Sequence, residues 1–360
     1  MGKQNVNFDW ITVFVLLCLG SFGLFLLLTI NTQLFFQQFL FILVGFILLI
    51  ISSHIEQVLL WWFAPIGYIA GNLFLILSYV GPHIRGATRW VVLGPVQLQP
   101  SELSKPLFLL AFSFFMGKYP PRQLKYIPLH MALFSLPFVL VFLQPDIGSS
   151  LVYIGFWVAM LFAGGLPVSV LITSFIAGLL LMPGIWHTLM PYQRDRILSF
   201  INPLSDPHGV GYNALQSMIA VGSGQLVGRG LGRGTQSHMR FLPEHHTDFI
   251  FATLVEELGF LGGLLLLGLY MFLLYRIIIP FIQGESYNAR QFIYSLGLFA
   301  MLLTQIFINT GMNMGIIPIT GITLHFVSYG GSSILSLTAS FGILWALKRE
   351  KSKDNAIAIM

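Results

Sequence analysis

Charge is what this sequence has least of. Asp, Glu, Lys and Arg together make up 9% of its 360 residues, and 56% are hydrophobic. An ordinary soluble domain carries about 25% charged residues, so the shortage excludes a water-soluble globule and points to an integral membrane protein. Cysteine is nearly absent: Cys18 stands alone in an apolar run, cannot close an internal disulfide, and reads as a small packing residue. No strand precedes the glycines at Gly222, Gly224, Gly228, Gly230, Gly232 and Gly234, and no Gly-Lys-Ser/Thr follows them. That excludes a nucleotide-cradling loop and leaves a flexible segment whose backbone approaches a ligand closely. No His/Cys/Asp spacing marks a metal site, and His245 with His246 read as loop residues. There is no solenoid repeat and no low-complexity tract; Trp10–Ile30 reads as a first span, so no cleavable leader is expected, and no nucleic-acid partner is expected.

What is present is a succession of continuous apolar runs, which favours a helical bundle over a barrel. Ten are near the ~20 residues a bilayer requires. They run over Trp10–Ile30, Leu34–Ile51, Leu59–Val80, Glu102–Gly117, Ile127–Phe142, Ser149–Ala163, Val168–Ile185, Asp248–Tyr275, Gln291–Asn313 and Ile322–Leu347. The expected architecture is an all-α, ten-transmembrane-helix bundle forming one polytopic domain over residues 1–360. Between spans 7 and 8 lies a long extracytoplasmic loop of about 186–247, with a short interfacial helix near Tyr212–Val221 that buries Leu215, Met218 and Ile219. Pro106 marks either the start of its span or a kink.

Loop charge orients the bundle. With both termini cytoplasmic, Lys3, Lys118, Arg122, Lys125, Arg276, Arg290, Lys348, Arg349, Lys351 and Lys353 fall inside, as the positive-inside rule requires. The remaining basic residues, Arg85, Arg89, Lys105, Arg194, Arg196, Arg229, Arg233 and Arg240, fall on the opposite face. All but one are Arg, whose planar fork suits bidentate phosphate binding. This sidedness says more than the net charge of +5.

One carboxylate stands at a junction of polar and apolar sequence. Asp248 follows the polar stretch Gly234–Thr247 and opens an apolar run, with Thr247 as the expected N-cap and Asp248 in the first helical turn, just inside the membrane surface. Ionisable groups there are expensive and purposeful, and general base is the fitting role. Ser101 reads as an N-cap, and Glu102 and Lys105 share a helix face as either a self-neutralising pair or a substrate-positioning one. Asp146, in Gln144-Pro-Asp-Ile-Gly148, reads as a cap or turn residue. Glu256 and Glu257 lie ~12 Å along the helix from Asp248 and read as a structural ion pair.

Several stretches together resemble the SEDS family (shape, elongation, division and sporulation), and its RodA branch more than its FtsW branch. They are Arg85–Lys105, Gln144–Ser149, Tyr192–Pro203, Gly209–Gly224, Gly234–Gly259, Met314–Gly321 and Ser328–Ser333. The resemblance implies a ten-span peptidoglycan glycosyltransferase of the bacterial inner membrane that polymerises lipid II during cell elongation, by inversion to a β-1,4 linkage. It implies Asp248 as the catalytic residue and Arg89, Glu102, Lys105 and Gln216 as important polar residues. It also implies a class B penicillin-binding protein transpeptidase as partner, and makes a divalent cation (Mg or Mn) a candidate cofactor. Outer cations, Arg89, Lys105, Arg194 and Arg196 among them, would bind the lipid diphosphate. The rival readings are a lipid II flippase and a non-catalytic scaffold for a transpeptidase. Charges crowding the outer half, with Glu256 and Glu257 the only deeper members, favour the enzyme.

Overall fold

The computed structural model describes residues 9–81, 88–94, 96–188, 191–202, 209–239, 241–283 and 288–348. Arg85, Arg240 and the tail residues Lys3, Arg349, Lys351 and Lys353 lie outside them. The chain is almost wholly helical. Its helices are α1 (Trp10–Ile30), α2 (Thr32–Ser53), α3 (Gln57–Leu77), α4 (Pro100–Leu103), α5 (Lys105–Lys118), α6 (Ile127–Leu143), α7 (Ile147–Ala163) and α8 (Val168–Thr188). They continue with α9 (Pro191–Ile201), α10 (Val210–Ser223), α11 (Thr235–His238), α12 (Ile250–Ile282), α13 (Ala289–Asn313) and α14 (Gly331–Lys348). Among the described residues the one sheet is an antiparallel hairpin of β1 (Val91–Leu93) and β2 (Val96–Leu98), with Val92 opposite Gln97. Among the described residues six helices are long and apolar enough to cross a membrane: α1, α2, α3 with its terminal turn, α6, α12 and α13; α7 and the first part of α8 are shorter apolar helices.

Local chemistry sets the helix starts. Asp9, Asn31, Asp146 and Asn288 each accept a hydrogen bond from a backbone N–H of the following first turn. Pro106 lies in the first turn of α5, where its missing N–H costs nothing, so it marks the start of that helix. Two expectations fail. Ser101 is not a cap: Gln99 precedes α4, and the Ser101 hydroxyl donates to Asp146. The last span begins at Gly331 instead of Ile322, because residues 320–330 form irregular backbone inside the bundle.

The bundle has two ends. At one, which carries the start of α1 and the finish of α14, Arg276 of α12 pairs with Asp9 at 2.7 Å, Gln291 Nε2 donates to the Leu347 carbonyl, and the Arg290 guanidinium stacks over Trp61 and Phe114. The other end, distal to the termini, holds the β-hairpin, the starts of α4, α7 and α12, and the segment between α13 and α14. α14 packs along α2, and α13 along α7 and α5. α8 stands apart, with every side chain from Ile172 to Leu180 exposed.

α12 has 33 residues, about 50 Å of helix, which exceeds a ~30 Å hydrocarbon layer. It is broken at Gly259, whose φ of 72° and ψ of −172° suit only glycine. Ile250 to Glu257, before the break, are all buried. Exposed side chains begin at Phe260. Asp248 therefore stands beyond the lipid-exposed part of its helix, and not inside the first turn as the sequence suggests.

Candidate active site

The turn that carries Asp248 is held carbonyl by carbonyl. The His245 carbonyl accepts from the Thr253 hydroxyl (3.1 Å), that of His246 from the Tyr329 N–H (2.8 Å) and that of Thr247 from the Ser328 hydroxyl (2.7 Å). The Asp248 carbonyl accepts from both Asn309 Nδ2 (3.0 Å) and Asn313 Nδ2 (3.1 Å). Leu242, Phe249 and Ala252 pack beneath it with Ala220 of α10. Thr247 is not the N-cap: its hydroxyl is spent on Glu244, Phe249 occupies the cap position, and α12 starts at Ile250. So many bonds from α12, α13 and the 320–330 segment fix the backbone of Asp248 before any substrate arrives. Burial, together with the neighbouring His246, holds the His245 imidazole below its usual value of 6.5.

Gln305, Asn309 and Asn313 recur every fourth residue of α13, so they form one buried polar stripe. The sequence reading missed all three, although that spacing is the signal that could have revealed them. Their amides hold the irregular segment that follows. Asn309 Nδ2 donates to the Ile322 carbonyl (2.6 Å) and Gln305 Nε2 to that of Thr323 (3.0 Å). Irregular backbone inside an apolar bundle survives only when its carbonyls are satisfied in this way. The segment runs past the first turn of α7, where a side chain at Gly148 would meet the Thr320 carbonyl at 3.2 Å. It also passes Asp248, whose Oδ2 lies 3.2 Å from where a Gly321 Cβ would stand.

Arg89 and Asp146 form the next part. Asp146 is buried and caps α7 as expected, accepting from Ser149 N, Gln99 Nε2 and Ser101 Oγ, with Arg89 Nη1 3.7 Å away. The Arg89 Nε is buried with no hydrogen-bond partner in the protein, which leaves a donor for a ligand or water. Lys105 is 0% exposed and donates to Glu102 (2.6 Å) and Gln305 (2.8 Å). The pair is the self-neutralising one. It braces α4 and α5 against α13 and offers no open cation.

Arg196 lies closer to the carboxylate by connectivity. From α9 its Nη1 donates to the Thr320 carbonyl (3.3 Å), one residue before Gly321. It heads a cleft lined by Phe200, Met218, Met312, Ile317 and Ile319. Arg194 points elsewhere, donating to the His187 carbonyl of α8 (2.9 Å). Gln216 lies partly exposed on α10. The buried face of that helix is Ser217 and Ala220 with Gly224 just beyond its end, and Ile219 is exposed. The expected apolar face is displaced because α10 packs against α12 and α13, where only small residues fit.

Glu256 and Glu257 are both buried. Glu256 accepts from Thr235, Gln236 and Ser237 of α11, and Glu257 from the Gly232 N–H and His238 Nε2 (2.8 Å). They bind the glycine-rich segment to α12. A Cβ at Gly228 would lie 2.1 Å from the Glu257 carbonyl, so close approach there is to the protein's own backbone and not to a ligand. Among the described residues no three His, Cys, Asp or Glu could hold a metal together. Asp146, Glu256 and Glu257 are engaged by protein donors through both carboxylate oxygens, and Glu102 through Oε1 alone, so no set of carboxylates among the described residues is assembled for a divalent cation.

A family model described as cell cycle protein, covering FtsW, RodA and SpoVE, matches residues 8–353. Peptidoglycan glycosyltransferase MrdB of Escherichia coli (strain K12) is 38% identical over 309 residues, which is 85% of this chain and 83% of the relative. A solved structure from work on the structural coordination of polymerization and crosslinking by a peptidoglycan synthase complex superposes with a TM-score of 0.83 at 31% identity, covering 97% of this chain and all (100%) of the other. The crystal structure of the Thermus thermophilus rod shape determining protein RodA superposes with a TM-score of 0.72 at 28% identity, covering 97% of this chain and 99% of the other.

Proposed function

The chain belongs to the FtsW, RodA and SpoVE family of cell cycle proteins, the SEDS family its motifs resemble, and on that premise we propose how it works. It is a multi-pass membrane protein and a peptidoglycan glycosyltransferase of the RodA kind. The substrate we assign is lipid II, with its polyprenyl tail in the bilayer and its disaccharide at the distal end of the bundle. The chain crosses the inner membrane ten times with both termini cytoplasmic, and a class B penicillin-binding protein crosslinks the product.

Asp248 takes the proton of the acceptor sugar hydroxyl while that oxygen attacks the anomeric carbon of the donor. The bond from that carbon to the lipid diphosphate breaks, and its electron pair leaves with the diphosphate. Arg196 faces the developing charge from the Thr320 side, and Arg89, with its unpartnered Nε, faces it from the α7 side. Lys105, Glu102 and Gln305 act by position, holding the segment that flanks the base. The single observation that carries this reading is the double clamp of Asn309 and Asn313 on the Asp248 carbonyl, which holds one carboxylate beside Gly321, one residue from the Thr320 carbonyl that Arg196 bonds. Glu256 and Glu257, the deeper charges a carrier would use, are engaged by the glycine-rich segment.

Purified protein given lipid II, with and without a class B penicillin-binding protein, makes glycan strands, and Asp248→Asn lowers the initial rate by ~10²–10⁴-fold, the usual worth of a general base. Polymer from the Asn variant at the wild-type rate removes Asp248 from its role. A wild type inert in every condition favours a carrier or a scaffold.

A further inference from the structure

The glycine-rich segment between α10 and α11 lies at a depth the structure itself marks. α1 is 21 residues long, about 30 Å, which matches the hydrocarbon thickness. Its start is pinned by the Asp9–Arg276 pair. Its far end, Thr29, touches the segment, since a Cβ on Gly232 would lie 3.7 Å from that of Thr29. α12 gives the same level independently. Its exposed face begins at Phe260 and Leu261, whose N–H groups donate to the carbonyls of Gln225 and Leu226 (2.8 and 3.1 Å). Both rulers place residues 225–233 at the edge of the apolar layer distal to the termini.

At that edge the segment shows an unusual surface. Leu226, Val227 and Leu231 are 66%, 74% and 51% exposed. Arg229 and Arg233 are exposed between and beside them; Arg229 Nη1 donates to the Thr235 hydroxyl (2.9 Å), and neither makes an ion pair among the described residues. The backbone is fixed: Arg229 N and Gly230 N donate to the carbonyls of Glu256 and Glu257 (2.9 and 3.0 Å), and Gly232 N to the Glu257 carboxylate. These bonds tie the loop to α12 and hold three apolar side chains outward at a fixed height. Apolar groups at the rim of a bilayer with guanidinium groups beside them form an amphipathic anchor. The apolar tips enter the acyl region and the cations meet phosphate.

We propose that residues 225–233 form a lipid anchor, in which Leu226, Val227 and Leu231 enter the outer edge of the hydrocarbon and Arg229 and Arg233 bind the phosphates of anionic glycerophospholipid headgroups. The anchor does not depend on which reaction Asp248 performs. Through Glu256, Glu257 and α11 it sets the height of the turn that carries Asp248 above the bilayer.

The test uses the full-length protein in nanodiscs of phosphatidylcholine with and without phosphatidylglycerol. A Cys18→Ser, Val227→Cys chain carries a nitroxide label at position 227. The label is expected to collide with dissolved oxygen more often than with a water-soluble nickel chelate. A fluorescent phosphatidylglycerol is expected to be enriched around the wild type, and that enrichment is expected to fall several-fold in Arg229→Gln/Arg233→Gln and to survive in Arg229→Lys/Arg233→Lys. A label reached mainly by nickel places the segment in water and overturns the proposal. Equal enrichment in the Gln variant also overturns it. So does a label shielded from both reagents only when a second membrane protein is present, since that assigns the surface to a protein partner.

Discussion

Asn313 accepts from the Ala252 N–H through Oδ1 and donates to the carbonyls of Asp248 and Asn309 through Nδ2. Asn313→Asp keeps the shape and the acceptor but loses both donors and sets an anionic oxygen against the Asp248 carbonyl. Leaving such a group unsatisfied costs ~1–3 kcal/mol, and a loss confined to the turn that holds the base appears as a ~5–150-fold lower initial rate of glycan synthesis with little change in KM. A wild-type rate in this variant overturns the clamp. His245, in the same turn, is half-buried, and that burial holds its pKa below 6.5. The unfolded chain then binds the extra proton first, so the contribution of His245 to stability is complete above pH 6.5 and falls as the pH drops from there toward its folded value. His245→Gln is expected to flatten the fall of Tm below pH 6.5, and an unchanged slope counts against it. At this scale the sequence marks Asp248 plainly, since a carboxylate at a polar–apolar junction is conspicuous. It hides Asn309 and Asn313, because uncharged amides inside an apolar run lower its hydropathy too little to be noticed. Lys105 is misleading for the converse reason: its charge is visible in the sequence, but its partner Gln305 lies 200 residues away.

Among the elements, the glycines between 222 and 234 divide by what surrounds them. Gly228 has φ +81° and no room for a Cβ against the Glu257 carbonyl. Gly222, inside α10, has nothing within 4 Å of the place a Cβ would take. Gly228→Ala is therefore expected to lower stability by more than ~2 kcal/mol, strain and clash together, and Gly222→Ala to raise it by ~0.5–1 kcal/mol through helix propensity. Thermal unfolding in detergent of the two variants checks the contrast, and equal Tm values remove the close approach as its cause. Apolar runs delimit spans well where lipid faces the helix, and Trp10–Ile30 is read to the residue. They fail at Ile322–Gly330, where protein amides and hydroxyls replace the helical bonds and apolar composition no longer implies a helix. The β1–β2 hairpin, with Gly94 at its turn, goes unread for another reason: three-residue strands are too short to show an alternating pattern.

At the scale of the whole molecule, α1 is tied to α12 by Asp9 and Arg276 at the end that holds the termini. Burial pushes the Asp9 carboxyl upward, but the bonds from Arg276 and Thr12 pull it further the other way, so it ends below its ordinary 3.8. A depressed carboxylate adds stability that is present above that ordinary value and is lost as the pH falls through the folded one. Asp9→Asn is expected to lower Tm at neutral pH, with the gap to wild type closing as the pH falls below 3.8 and through the lower folded value. A gap of the same size in acid argues against the ion pair. The pairing of distant helices is the part of the fold that one chain's sequence does not disclose. Span order is legible from hydropathy, but the packing of α2 on α14 and of α5 on α13 depends on side-chain shape across hundreds of residues.

The clamp on Asp248 also sets an order of events during synthesis. The aspartate emerges from the ribosome well before Asn309, Asn313 and the 320–330 strip that grip it, and those arrive with the final two helices. A nascent chain that has threaded α12 through the translocon therefore carries the proposed base loosely held. On the mechanism proposed above, the catalyst is assembled only when the last two helices have entered the bundle, and an interrupted translation product is expected to be inert.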